Sequence, residues 1–397
     1  MNILVITYWK FEDALIQTYT LPYLRIIRNI LPPGSEITLI TMEPEGEIKK
    51  YIPVEEGIVR YSFRLFPFGI RAALNWNINF SHLRKIVKKK QIKVVHSFCT
   101  PAGWPGNAIS RQMNIPLVID SFEPHAEPMV ETGTWSLKGF AYATLIGMEK
   151  KQVRVAKWVI GVVPQMQEYS ARKYGHTPQN FFVKPACIDF TQFNLLKRNN
   201  SKLKTGLGLN NKVVCVYAGK FGGLYMREDA FRFFKAAQNV FGNSFRVLLL
   251  SSTPKEEIET LCKAVGLDPN CVIQKFVPHA EVPDYMGLAD FAFSAFKPVP
   301  SRRYCTPIKN GEYWAMGLPV VIGEGISVDS DIIRENNAGY VLNSLSDEEL
   351  KKAAEHIQKL LSTEDHNKLA NRIHQLAQKH RNFAIAEQVY RTIYGQL

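Results

Sequence analysis

Short, mostly apolar runs recur along the chain at 2–7, 36–41, 59–63, 92–96, 116–120 and 158–163, and again at 213–218, 246–251, 271–275, 290–294, 319–322 and 339–342. A strand covered on both faces reads this way, without alternation, and such strands belong to parallel sheets. Between the runs lie stretches of helical period. One runs from about 14 to 30 and is stopped by Pro32, Pro33 and Gly34. Others occupy 137–156 and 164–174, and helical patterns separate the strands of the second half. Alternating strand and helix predicts right-handed βαβ units. Three segments read otherwise. Residues 43–57 are acidic and predict a loop. Residues 197–205 are rich in Lys, Asn and Ser and predict an exposed linker. From 346 onward the pattern is helical: Ser346 and Glu349 have capping-box spacing, and a last amphipathic helix carries Phe383, Ile385, Val389, Tyr390 and Ile393. No strict repeat period is present, so the two halves read as two copies of one α/β architecture.

Length and composition narrow this picture. A chain of 397 residues exceeds one ordinary core and fits two domains. Its 46% apolar content is that of a globular protein. No apolar run reaches the ~18 residues that cross a bilayer. Residues 1–7 are a strand pattern too short for a signal peptide and without a cleavage site. The six cysteines are scattered with no C-x-x-C pair, which predicts buried free thiols, a reducing cytoplasm and no metal site. The net charge of +13 admits nucleic acid, an anionic membrane surface or an anionic substrate as partner. The densest basic run holds Arg84, Lys85, Lys88, Lys89, Lys90 and Lys93, and it follows an aromatic stretch with Phe66, Phe68, Ile70, Leu74, Trp76, Ile78 and Phe80. Basic beside aromatic suits a membrane surface, while a solvated helix before a strand explains the same residues. No RNA-binding signature occurs, which argues against nucleic acid.

Candidate chemistry concentrates at 306–321, TPIKNGEYWAMGLPVV. The order is loop, helix start, short helix, glycine stop and buried strand. Lys309 and Glu312 share one face near the helix N-terminus. Unpaired N–H groups, a partial positive charge and an ammonium there suit a phosphate. Glu312 would repel that phosphate and is useful only toward hydroxyl donors such as a ribose diol. Together the two describe a nucleotide-diphosphate site; an ordinary surface ion pair is the alternative. A second glycine-rich turn, Gly219-Lys220-Phe221-Gly222-Gly223, follows the 213–218 strand and could present N–H groups to a phosphate. It is not G-x-G-x-x-G, which weakens a dinucleotide dehydrogenase reading. In the first half, His96, Ser97, Asp120, Glu123 and His125 fall at carboxyl ends of strands, where open α/β sheets bind ligands. Local loop hydrogen bonds, or for His96 a satisfied structural role, would explain them equally.

Pro307, Lys309, Glu312, Tyr313, Ala315, Gly317, Pro319 and Val320 together resemble the donor-site signature of retaining glycosyltransferases of the family 4-like group. The resemblance implies the GT-B fold: two Rossmann-like doubly wound domains facing each other across a cleft. It implies an acceptor-binding domain at 1–195, a donor domain at 206–380 and a helix at 381–397 crossing back to the first domain. It implies metal-independent, retaining transfer of a sugar from a nucleotide-diphosphate sugar, with no further cofactor. The acceptor would be a glycan, a lipid-linked intermediate or a small molecule, as in polysaccharide biosynthesis. Apart from the resemblance, the basic and aromatic stretch 66–93 points to a lipid-linked or membrane-proximal acceptor and to peripheral contact at the inner face of the membrane. By the same resemblance Lys220 and Lys309 hold the diphosphate, Glu312 the ribose, and Gly219, Ser251, Val277, Cys305 and Thr306 line the donor site. Either His125 or Glu123 orients the donor sugar or the acceptor hydroxyl. Asp329, in a glycine–aspartate turn, is expected to be an N-cap. The chain departs from the pattern at Tyr304, where many relatives carry a further Glu; its role falls to N–H groups around Cys305 and Thr306, or to nothing. A nucleotide-sugar epimerase on this fold, or a catalytically silent nucleotide-sugar binding protein, remain open readings.

Overall fold

The structure, a computed structural model, describes residues 1–43, 51–64 and 70–397. The chain forms two compact units. The first comprises 1–127, 135–185 and 384–397; the second comprises 128–134 and 186–383.

The first unit holds an eight-stranded sheet ordered β3-β4-β2-β1-β5-β6-β7-β8. Its strands are β1 (Asn2–Ile6), β2 (Ile37–Glu43), β3 (Ile52–Glu55), β4 (Ile58–Arg64), β5 (Ile92–Phe98), β6 (Leu117–Phe122), β7 (Trp158–Gly161) and β8 (Phe181–Val183). Pairings are parallel except β3 with β4. Ile3 to Ile6 are fully buried, as the apolar runs require of strands covered on both faces. Strand order reverses between β1 and β5. The second unit holds a six-stranded parallel sheet ordered β11-β10-β9-β12-β13-β14. Its strands are β9 (Val213–Ala218), β10 (Phe245–Leu250), β11 (Val272–Lys275), β12 (Phe291–Phe293), β13 (Val320–Gly323) and β14 (Gly339–Leu342). The reversal lies between β9 and β12, and the crevice beyond such a reversal is where open α/β sheets take ligands.

Four segments differ from expectation. The helix expected over 14–30 opens into a π-turn at Ile16–Thr20 before the α-helix Leu21–Ile30. Pro22 supplies no N–H to the preceding turn, and the backbone widens there. Within 43–57, expected as a loop, β3 pairs antiparallel with β4 across Gly57 at φ +72°, an edge hairpin whose proline and glutamates masked its strand character. The expected linker 197–205 is built into the second unit. Asn200 caps the helix Ser201–Gly206, and Arg198 donates to the Met316 carbonyl at 2.8 Å. Its Asn and Ser are capping residues, a composition that a linker shares. At the capping box, Ser346 accepts from the Glu349 N–H at 3.3 Å as expected. The Glu349 carboxylate instead takes the Asn343 N–H at 3.0 Å and the Tyr340 hydroxyl at 3.2 Å. Of the aromatic stretch before the basic run, Phe66 and Phe68 lie outside the described residues.

Packing at the β13–β14 pairing gives a direct prediction. Gly339 sits at φ +140°, and a Cβ there would strike the backbone of Val320, its register partner. Backbone inside a sheet cannot step aside. Gly339→Ala is expected to lower stability by about 2–5 kcal/mol, from strain and overpacking together, read as a fall in the urea midpoint.

Candidate donor site

The helix Ile308–Ala315 fills the place expected for it. Pro307, whose φ is fixed, occupies the N-cap, and no side chain caps the first turn. Gly317 at φ +69° ends the helix, and its N–H donates to the Trp314 carbonyl at 2.8 Å. The chain then enters β13. Glu312 to Ala315 are buried, while Lys309 keeps 35% of its side chain exposed.

Lys309 Nζ lies 2.7 Å from Glu312 Oε2, and His279 Nε2 lies 4.0 Å from Glu312 Oε1. Burial alone would raise the Glu312 carboxyl; Lys309 and His279 overcome that and hold it below its ordinary value. His279 is oriented by Gln192, whose Nε2 is 3.4 Å from Nδ1. The sequence pointed to Val277 but not to this imidazole, because nothing local ties it to Glu312.

The glycine turn is fastened to the same helix. The Ala218 N–H donates to the Tyr313 hydroxyl at 2.9 Å, so the carboxyl end of β9 rests on the residue after Glu312. Tyr217 donates to the Lys220 carbonyl at 2.6 Å, and Gly219, Gly222 and Gly223 take φ of +152°, +84° and +60°. Only glycine adopts such a run without strain. Lys220 is exposed.

Below the first helical turn lies a buried network that the sequence did not disclose. Arg381 pairs with Asp329, both buried, and donates to Thr306 Oγ1 at 2.5 Å. Asn310, next to Lys309, donates to Asp329 Oδ2 at 2.8 Å. Thr306 Oγ1 also accepts the Ala186 N–H at 2.9 Å. Asp329 is therefore not the expected N-cap. Val328 holds that position, and burial pushes the Asp329 carboxyl up although Arg381 opposes it. The other expected lining residues have internal duties. Ser251 Oγ lies 2.9 Å from Thr253 Oγ1, Val277 packs on the core, and the Cys305 N–H and Sγ both point at the Arg302 carbonyl, at 3.4 and 3.0 Å.

In the first unit His96 is a structural group. Its Nε2 is 3.0 Å from Asp120 Oδ2 and its Nδ1 is 2.7 Å from the Tyr394 hydroxyl, all buried. Asp120 also takes the Tyr390 hydroxyl at 2.6 Å and Lys184 Nζ at 3.2 Å. Lys184 lies fully buried, 3.6 Å from the Tyr23 ring centroid. Burial would raise Asp120; Lys184, then His96 and Tyr390, hold it well below the usual carboxylate range. A lone lysine at the end of the FFVK run was the available signal for this hub. At His125, Nδ1 lies 2.9 Å from the Glu123 carbonyl, and the N–H groups of His125 and Ala126 both donate to buried Glu149, at 2.8 and 3.1 Å. Tyr174 completes that carboxylate at 2.8 Å. The His125 backbone is thus held by a neighbouring helix, and neither His125 nor Glu123 belongs to the unit that holds Lys309. All six cysteines are buried and free. Among the described residues no cluster fit to hold a metal occurs, and no helix is long and apolar enough to cross a membrane.

Two parallel-sheet Rossmann-like units with these sheet orders are the GT-B fold of glycosyltransferases, and this chain has that fold. Sucrose-phosphate synthase from Thermosynechococcus elongatus matches with a TM-score of 0.76 at 16% identity over 100% of both chains. Anabaena HepE, solved with UDP-glucose, matches with a TM-score of 0.71 at 14% identity over 100% of both chains. The E. coli trehalose-6-phosphate structure bound with UDP-2-fluoro glucose gives 0.71 at 10% identity, over 100% of this chain and 99% of that one. More narrowly, residues 297–393 match the family model described as Glucosyltransferase 3-like, C-terminal domain. This segment contains Lys309, Glu312, Asp329 and Arg381. No curated protein matches the sequence.

Proposed function

We propose that the protein is a retaining, metal-independent glycosyltransferase of the family 4-like group that moves a sugar from a nucleotide-diphosphate donor to an acceptor. The observation that carries this reading is the Lys309–Glu312 pair at the uncapped start of Ile308–Ala315, beside the Gly219–Lys220 turn. Lys309 meets the diphosphate, and Lys220, exposed in the ligand-free molecule, swings to it. As the sugar–phosphate bond lengthens, negative charge grows on the leaving diphosphate. Two ammoniums and the helix N-terminus stabilise that charge where a metal ion would otherwise serve. When Lys309 turns to the phosphate, Glu312 is released to accept from the ribose hydroxyls, with His279 beside it. His125 or Glu123 orients the sugar or the acceptor hydroxyl. The UDP, UDP-glucose and UDP-2-fluoro glucose held by the HepE and E. coli structures support a uridine nucleotide as the first donor to try.

A thermal-shift panel of nucleoside diphosphates and their sugars tests this, because a ligand bound only to the native state raises the midpoint. One diphosphate family is expected to shift it, and radiolabelled sugar is then expected to leave that donor in the presence of acceptor glycans or lipids. The Tyr304 position, without the carboxylate of many relatives, favours a second reading as a silent binding protein. Shift without turnover would establish that reading, and interconversion of the donor without acceptor would establish an epimerase.

The lowered Glu312 carboxyl fixes a pH dependence. In the complex the ribose hydroxyls and His279 take over from Lys309 in holding Glu312 ionised, so its acid limb belongs at or below the ordinary carboxylate range of about 4. Donor affinity by calorimetry is therefore expected to be level from neutral pH to about 5 and to fall only below that range. Glu312→Gln is expected to weaken donor binding about tenfold while removing the acid limb.

A further inference from the structure

We propose that residues 135–151 of the first unit seat this protein on an anionic lipid surface. The helix Phe140–Val155 has two unlike halves. Its C-terminal half is bound into the fold: Glu149, Gln152 and Val153 are buried, and Gln152 donates to the Thr100 carbonyl at 2.7 Å. Its N-terminal half, Phe-Ala-Tyr-Ala-Thr-Leu-Ile-Gly-Met, has no charged residue. That half is not in the core. Phe140 is 81% exposed and Leu137, just before it, 62% exposed. Ala141, Ala143 and Gly147 are exposed as well, and Leu145, Ile146 and Met148 are half-buried. A helix apolar on all sides normally lies inside a protein or a lipid phase; this one stands at the surface.

Charge identifies the cover. Lys138, Lys150, Lys151, Arg154 and Lys157 flank the apolar turns, and all are exposed. Between 135 and 158 the one carboxylate is Glu149. It faces inward to the N–H groups of His125 and Ala126 and to the Tyr174 hydroxyl. Within this segment the surface therefore shows aromatic and aliphatic groups flanked by cations, the composition that binds anionic headgroups while its apolar part enters the acyl boundary. At 16 residues, half of them tied to the fold, the helix cannot span a bilayer and lies at its surface. This places the lipid contact on a different element from the basic run 84–93.

Sedimentation of the full chain with sucrose-loaded vesicles is the test. Binding is expected to vesicles with about a third phosphatidylglycerol and not to phosphatidylcholine alone, and to fall with added salt. Phe140→Glu with Leu137→Glu is expected to cut binding at least tenfold, and Lys150→Glu with Lys151→Glu severalfold, with unchanged circular dichroism and melting. Absence of binding by the intact protein would overturn the assignment. So would full binding by the Phe140→Glu, Leu137→Glu variant, or equal binding to neutral vesicles. A concentration-dependent dimer abolished by Phe140→Glu, without vesicle binding, would show that a second copy covers the helix instead. Lipid seat and donor site are separable: the Phe140 and Leu137 variants keep nucleotide-sugar binding in solution, whichever way the vesicle result falls.

Discussion

Lys309→Ala is expected to reduce donor turnover by a factor of about 100 to 1,000, the loss found when one preorganised donor to developing charge is removed. An ammonium about 4 Å from a phosphate charge gains roughly 4 kcal/mol at an effective dielectric near 20, before desolvation. The loss should appear in both donor affinity and kcat, because the same ammonium meets the ground-state diphosphate and the charge that grows on departure. Lys309 also neutralises buried Glu312 in the ligand-free molecule, at 2.7 Å. The substitution therefore leaves a buried carboxylate with His279 alone beside it, so the Lys309→Ala, Glu312→Gln double variant separates the two effects. It is expected to regain stability and not turnover. Steady-state kinetics beside thermal melting reads both. Wild-type turnover in Lys309→Ala would move the site elsewhere.

The largest stability effect is expected at Lys184→Met in the first unit. Removing one partner of a buried ion pair costs about 3–5 kcal/mol, because the other charge is left without its counterpart. Here that charge is Asp120, which would keep only His96, Tyr390 and Ser121. The sign with pH follows from linkage. Asp120 in the native protein lies below its unfolded value, so its ion pair adds stability above about pH 4 that is lost as pH falls through the folded value. In Lys184→Met the carboxyl loses its main cation and rises, so acid relieves the variant. The difference from wild type in urea midpoint should be widest near pH 7 and narrow toward pH 4. Tyr390 and Tyr394 join this hub from the last helix, Phe383–Tyr394.

What the sequence disclosed and what it withheld divide by range. Buried parallel strands announce themselves through short, mostly apolar runs, and all twelve runs became strands of the two sheets. The helix at 308–315 was legible because proline, glycine and the Lys–Glu spacing are local signals. Hidden features depend on partners distant in the chain. His96 meets Tyr394 across 298 positions, and Asp329 meets Arg381 across 52. No window of sequence shows that Asp329 binds a guanidinium beneath the Lys309 turn instead of capping its own helix. Capping residues also mislead in the other direction. Asn200 looked like linker because the residues that start helices are those that fill loops.

The central claim is that Lys309 and Lys220 close on a pyrophosphate at the start of the Ile308–Ala315 helix. A crystal structure with a nucleoside diphosphate tests it most directly. The predicted result is a diphosphate with oxygens about 3 Å from both ammonium nitrogens and from the first N–H groups of the helix, and a ribose on Glu312. A diphosphate bound elsewhere, or bound here with either lysine turned to solvent, would contradict it.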